Sequence, residues 1–77
     1  MKDKLKEIVF DVIRNSNDIT KKEIKNRVLD EAVSKNILTK EFVVAFGDIG
    51  WVFQDLRQKD EVIDVYQNGR EYFWYAT

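Results

Sequence analysis

Apolar residues recur along the first part of the chain at Leu5, Ile8, Val9, Val12 and Ile13. Steps of three and four place all five on one side of a helix over residues 3–15. Phe10 falls at the rim of that stripe. Asn15, Ser16, Asn17 and Asp18 are turn formers and should end the helix. The next boundary is sharper, because Thr20-Lys21-Lys22-Glu23 matches a capping box. There the Thr hydroxyl and the Glu carboxylate each take up an orphan backbone N–H. Ile19 before the cap and Ile24 after it can close a hydrophobic staple. A second helix is therefore expected from Lys21, burying Ile24, Val28, Leu29 and Ala32 and fraying by Ser34-Lys35-Asn36. Thr39 can cap a third helix, with Leu38 and Val43 as its staple.

Residues 40–59 admit two readings. As one helix, they put Phe42, Phe46, Ile49, Val52, Phe53 and Leu56 on a shared face. Gly47 and Gly50 each cost about 1 kcal/mol against Ala inside a helix. A break near Gly47-Asp48, with Asp48 capping a separate last helix, is thus the alternative. Either way Trp51 is expected to point away from the core stripe, in line with Asp48, Asp55 and Gln58.

After Asp60 the period changes from 3.6 to 2. The stretch EVIDVYQNGREYFWYA holds two strand-like runs around Asn68-Gly69, a strong hairpin signal. A loop at those two residues pairs Gln67 with Arg70, Val65 with Tyr72, and Ile63 with Trp74. One face then carries Ile63, Val65, Tyr72 and Trp74. The other carries Val62, Tyr66, Phe73 and Tyr75, with Asp64 and Glu71 among them. A hairpin that covers a core on one side should be polar on the other. This one is aromatic on both, so its second face has something left to bury. Core packing is the first expectation for it, a dimer or partner interface the second, and stacking on nucleic-acid bases the last.

Composition narrows the chemistry. Seventy-seven residues fit one domain, residues 1–77, near the lower limit for a self-sufficient core. With 44% hydrophobic and 35% charged residues, the balance is that of a globular chain. Cysteine and histidine are both absent, which removes disulfides, thiolate metal sites and the commonest general base. Ser16 and Ser34 have no triad-like partner in view, and no glycine-rich loop cradles phosphate. An enzyme is not expected, and neither is a cofactor or a bound metal. The longest apolar runs, FVVAF and YFWYA, fall far short of the roughly 20 residues that span a bilayer. Charges interrupt the N-terminal MKDKLKEIVF too often for a signal peptide. The expectation is a soluble cytoplasmic protein with no membrane partner.

The net charge of −1 conceals an asymmetry. Residues 1–40 hold ten Lys/Arg against seven Asp/Glu, whereas residues 41–77 hold three against seven. Affinity for phosphates needs a basic surface, and only the first half can supply one.

Helices followed by a hairpin, in this order and length, resemble the winged-helix fold. The resemblance is carried by ITKKEIKNRVLDEA as a second helix, IGWVFQDLRQKDEVI as a last helix running into a strand, and VYQNGREYFWY as the wing. It implies an α+β fold of three helices, or four if the chain breaks at Gly47-Asp48, and a C-terminal wing. It also implies a role in binding, with the last helix in the major groove of double-stranded DNA and the wing on flanking DNA. Some members of the family use the same surfaces for proteins. On the DNA reading, Lys21, Lys22 and Lys25 would meet phosphates, as would Arg70 in the wing and Lys59. Gln54, Gln58 and Arg57 would reach base edges, since Gln pairs bidentately with adenine and Arg with guanine. The competing reading of the three lysines is a solvated helix face.

On the protein reading, Asp48, Trp51 and Asp55 form an acidic surface around an aromatic anchor, joined by Tyr66 and Tyr75. That surface would suit a basic protein of the transcription or replication machinery. A homodimer through the wing is a separate expectation. DNA stands narrowly first, as the ligand of a small regulator of transcription or another DNA-templated process.

Overall fold

The computed structural model describes residues 2–77, with side chains from Lys4 onward. Helix α1 spans Lys2–Ser16 and buries Leu5, Ile8, Val9, Val12 and Ile13, the whole predicted stripe. Phe10 is half-buried at its edge. The helix stops because Asn17 and Asp18 take φ values of 38° and 56°, which short amide and carboxylate side chains tolerate better than most. The Asn17 amide oxygen then accepts the Ala76 N–H at 3.1 Å and ties this turn to the end of the chain.

Residues Ile19–Thr20 form a short strand, β1, which the sequence pattern did not announce. Thr20 also caps α2, Lys21–Ser34, by accepting the Glu23 N–H at 3.3 Å. The capping box is only half closed. The Glu23 carboxylate turns to Arg27 at 3.7 Å, while Thr20 serves the sheet. Ile19 and Ile24 are both buried, as a staple requires. The far end of α2 closes with Asn36 at φ 56° and two back-bonds, Asn36 N–H to the Val33 carbonyl and Ile37 N–H to the Ala32 carbonyl. This is the Schellman arrangement, with Asn in the place glycine usually takes.

Residues 40–59 break into two helices. Helix α3, Lys40–Gly47, is capped by Thr39, which accepts the Phe42 N–H at 3.2 Å. Helix α4, Gly50–Gln54, runs on into a π-helical turn over Asp55–Lys59. The break falls where the glycines suggested, but Asp48 does not cap α4. It closes α3 instead, and Ile49 stands at the start of α4 without a side-chain cap. The π turn widens the ring so that the Asp60 N–H reaches the Asp55 carbonyl at 2.9 Å. Glu61, at φ 56°, then reverses the chain into the sheet.

Strands β2, Ile63–Asn68, and β3, Glu71–Ala76, form the expected hairpin, and β1 adds to it, giving an antiparallel sheet in the order β1-β3-β2. The register differs from expectation by two residues. Val65 pairs with Trp74, Tyr66 with Phe73, Gln67 with Tyr72, and Asn68 with Glu71. The loop is therefore Gly69-Arg70, not Asn68-Gly69. Of these loop residues only Gly69 has positive φ, at 68°, which suits a turn with glycine at its first central position. Asn68 stays extended as the last residue of β2. A slip of two preserves the side on which each residue lies, so the predicted division into two faces holds.

The inner face seals a single core. Ile63 is buried in it, and the Trp74 ring lies 4.7 Å from that of Phe53. Phe42, Val52, Phe53 and Leu56 bring α3 and α4 to the same cluster as α1 and α2. Phe46 shares that face but is only half-buried. Together the described residues make an α+β structure with four helices and one three-stranded sheet.

Candidate functional site

Lys21 and Lys22 occupy the first two positions of α2. A helix N-terminus carries partial positive charge, so cations there are disfavoured by about 0.3–1 kcal/mol each. An anion bound at this end would reverse that penalty. Lys25 follows one turn later. Among the described residues none of these three lysines makes an ion pair, whereas Lys6, Arg14, Arg27, Lys35 and Arg57 all do.

Two of these lysines, Lys21 and Lys25, lie over aromatic rings. The Lys21 ammonium lies 5.2 Å from the Phe53 ring centroid, over the start of α4. It would stand 4.0 Å from a Cβ added to Gly50. The Lys25 ammonium lies 5.9 Å from the Phe46 ring at the end of α3. One shallow depression is lined by Lys21, Lys22, Lys25 and Asn26, and a second by Lys21, Lys22, Thr20, Glu71, Tyr72 and Trp74. The first turns of α2 thus sit between α4 on one side and the hairpin on the other. Asn26 and the exposed Tyr72 join this surface. Sequence reasoning put Tyr72 on the right face of the hairpin, but only the true register and β1 bring it beside Lys22.

Helix α4 and its π turn expose Gln54, Arg57 and Gln58. The Gln54 amide donates to the Gln58 carbonyl oxygen at 3.5 Å, so the two side chains lie along one ridge. Arg57 is not freely presented. Its Nε donates to Asp64 at 3.1 Å and folds the guanidinium back onto β2. The Asp64 carboxylate also accepts the Val65 N–H at 2.8 Å. That bond first, and Arg57 second, hold its pKa below the ordinary value. Arg70 is exposed at the hairpin loop, and Lys59 is exposed in the π turn.

Of the expected outward set, Asp48 is exposed, whereas Trp51 and Asp55 are half-buried. Trp51 is half-buried and packs against the core. Helical periodicity pointed it outward, and tertiary packing draws it part-way in. Lys6 of α1 reaches Asp60 at 2.9 Å and Asp55 at 3.8 Å, which neutralises part of the acidic side of α4. Asp48 remains exposed at the end of α3.

Tyr66 and Tyr75 lie elsewhere, on the sheet face turned away from the core. There Tyr66 stacks on Phe73 and tilts against Tyr75, with its hydroxyl donating to Asp18 at 3.1 Å. Crowding by these neighbours, and then the Asp18 carboxylate, raise the Tyr66 pKa above its ordinary value.

Among the described residues no cluster of three or more His, Cys, Asp or Glu could hold a metal ion. Nor is any described helix long and apolar enough to cross a membrane. Comparison with protein-family models, with curated proteins and with solved structures finds no match to this chain.

Proposed function

We propose that this chain is a winged-helix domain that binds double-stranded DNA, as a small regulator of transcription or another DNA-templated process. In this reading α4 takes the groove-facing position, the β2–β3 hairpin is the wing, and α2 crosses the phosphate backbone. The observation that carries it is the gathering of Lys21, Lys22 and Lys25 around one depression, without ion pairs among the described residues, with Lys21 against α4 and Lys25 against the end of α3. In this reading Lys59 in the π turn and Arg70 in the wing, both exposed, add two further phosphate contacts. Five such contacts fall below the roughly 6–10 of strongly salt-dependent binders, so binding should be weak and confined to low salt.

Two features of the structure favour this over an acidic protein-binding helix. Lys6 draws Asp55 and Asp60 toward α1, which lowers the repulsion a phosphate would meet on α4. Trp51 is partly used in packing. Base recognition would then fall on Gln54 and Gln58, because Arg57 is engaged by Asp64.

The test is retardation of a mixed-sequence duplex at about 50 mM salt, where phosphate contacts are strongest. Wild type should bind, Lys21→Glu with Lys25→Glu should not, and Trp51→Ala should matter less. Absence of any duplex binding by wild type would remove the proposal.

A further inference from the structure

The hairpin has a second surface that DNA binding leaves unused. Strand register places Asp64, Tyr66, Asn68, Glu71, Phe73 and Tyr75 on the side facing away from the core. Tyr66 and Phe73 face each other across the strands at 5.6 Å, with planes 26° apart. Tyr75 joins them diagonally, 5.9 Å from Tyr66. An antiparallel sheet with one face in water should show polar side chains there. Here the centre is a continuous band of three rings, of which Tyr66 is 41% exposed.

The rim of the band decides what could cover it. None of the six outward strand residues is a cation. Asp18 meets the band at the Tyr66 hydroxyl, and Glu71 stands at its loop end. Asp64 lies at the opposite end, where Arg57 engages it from the side of the π turn. Beside Phe73 a depression is lined by Asn17, Asp18, Thr20, Glu23 and Arg27. Arg27 is already held by the Ser16 hydroxyl and by Glu23. Asp18, by contrast, makes no ion pair among the described residues and has only a phenol as partner.

Three occupants compete for this face. Nucleic acid would bring phosphates against Asp18, Asp64 and Glu71. A second copy docked face to face would bring two sets of those carboxylates into one interface, with no cation among the outward strand residues to pair them. A cationic side chain meets neither obstacle. Aromatic faces attract a guanidinium or ammonium, and carboxylates at the rim supply the matching hydrogen-bond acceptors. We propose that the outward face of the sheet, built from Tyr66, Phe73 and Tyr75 and rimmed by Asp18, Asp64 and Glu71, docks an arginine- or lysine-bearing segment of a partner protein. Its three rings lie on the opposite side of the sheet from the depression that holds Lys21 and Lys22, which Glu71 alone of these residues also lines, so a DNA-bound molecule keeps the rings accessible.

The experiment titrates a fluorescein-labelled peptide of alternating arginine and glycine into the full chain. Anisotropy reads affinity, and amide chemical shifts read location. The expected result is saturable binding, with shifts centred on Asp18, Tyr66, Glu71, Phe73 and Tyr75. Glu71→Lys should weaken it about tenfold or more, while Glu41→Lys, the same charge change on α3, should alter it less than about twofold. Both positions are exposed, so both variants should fold, and circular dichroism checks that. Failure to saturate, or equal weakening by both variants, overturns the proposal. So does a wild-type dimer in sedimentation that Tyr75→Ser disperses, which would make the occupant a second copy. Loss of duplex binding in Tyr75→Ser would instead assign the face to nucleic acid. Because the peptide arm contains no DNA, it can fail or succeed independently of the DNA-binding proposal.

Discussion

The Lys21 ammonium rests 5.2 Å from the centre of the Phe53 ring, which latches the first turn of α2 over α4. In the proposed DNA complex the same charge would be both a packing contact and a phosphate anchor. Lys21→Met separates the two roles, since it keeps the aliphatic stem on the ring and removes the charge. Folding stability should fall by no more than about 1 kcal/mol, the worth of an exposed cation–π contact. Duplex affinity at low salt should fall several-fold. Denaturant unfolding and an anisotropy titration read the two effects apart.

Phe42 and Val44 are two positions apart on α3 and could hardly differ more. Phe42 is fully buried and Val44 is 76% exposed. Phe42→Ala should cost about 3–5 kcal/mol through lost transfer energy and a residual cavity. For a domain of this size that is a large share of the total. Val44→Ala should change stability by less than about 0.5 kcal/mol. Urea midpoints for the pair measure whether α3 is oriented as described.

Gly69 holds a φ of 68° with nothing within 4 Å of where a Cβ would stand. Gly69→Ala therefore meets no clash, and its cost is conformational alone, about 1–2 kcal/mol. Gly69→Asn should recover part of that, because Asn enters this region more readily. Thermal melts of the two variants report the loop directly. If the loop were Asn68-Gly69 with both residues left-handed, Asn68→Ala would cost about as much as Gly69→Ala. With Asn68 extended it should cost much less.

The sequence showed its large periodic features and hid its contacts. The α1 stripe, the Thr20 cap and both faces of the hairpin followed from spacing, because burial enforces periods of 3.6 and 2 on the residues themselves. Strand β1 was invisible, since two residues carry no period and Ile19 already served as a staple. The hairpin register failed because Asn68-Gly69 and Gly69-Arg70 are both acceptable loops, and the choice depends on which partners align across β3. The three lysines were named as phosphate contacts, but the placing of Lys21 over Phe53 and of Lys25 over Phe46 needed the tertiary approach of α2 to α4 and α3. The ties of Lys6 to Asp55 and of Arg57 to Asp64 join residues that no local pattern connects.

Asp64 should make the hairpin weakly sensitive to acid. The Val65 N–H, and then Arg57, lower its pKa from the ordinary 3.8. A carboxylate depressed by folding stabilises the native state above its unfolded pKa and loses that contribution as pH falls through the folded value. The thermal midpoint should therefore drop as pH falls below about 4, and Asp64→Asn should flatten that limb of the profile. Above that pH this group contributes no slope, so the wild-type and variant curves should run parallel there.

The salt dependence of duplex binding probes the central claim most directly. Plotted as log K against log salt, wild type should give a slope of about −3 to −4.5, as three to five phosphate contacts require. Lys22→Gln with Lys25→Gln should shallow that slope by about two contacts' worth and leave the fold unchanged. A wild-type chain with no measurable affinity at about 50 mM salt, or a slope that the two substitutions leave untouched, would contradict the assignment of this surface to DNA.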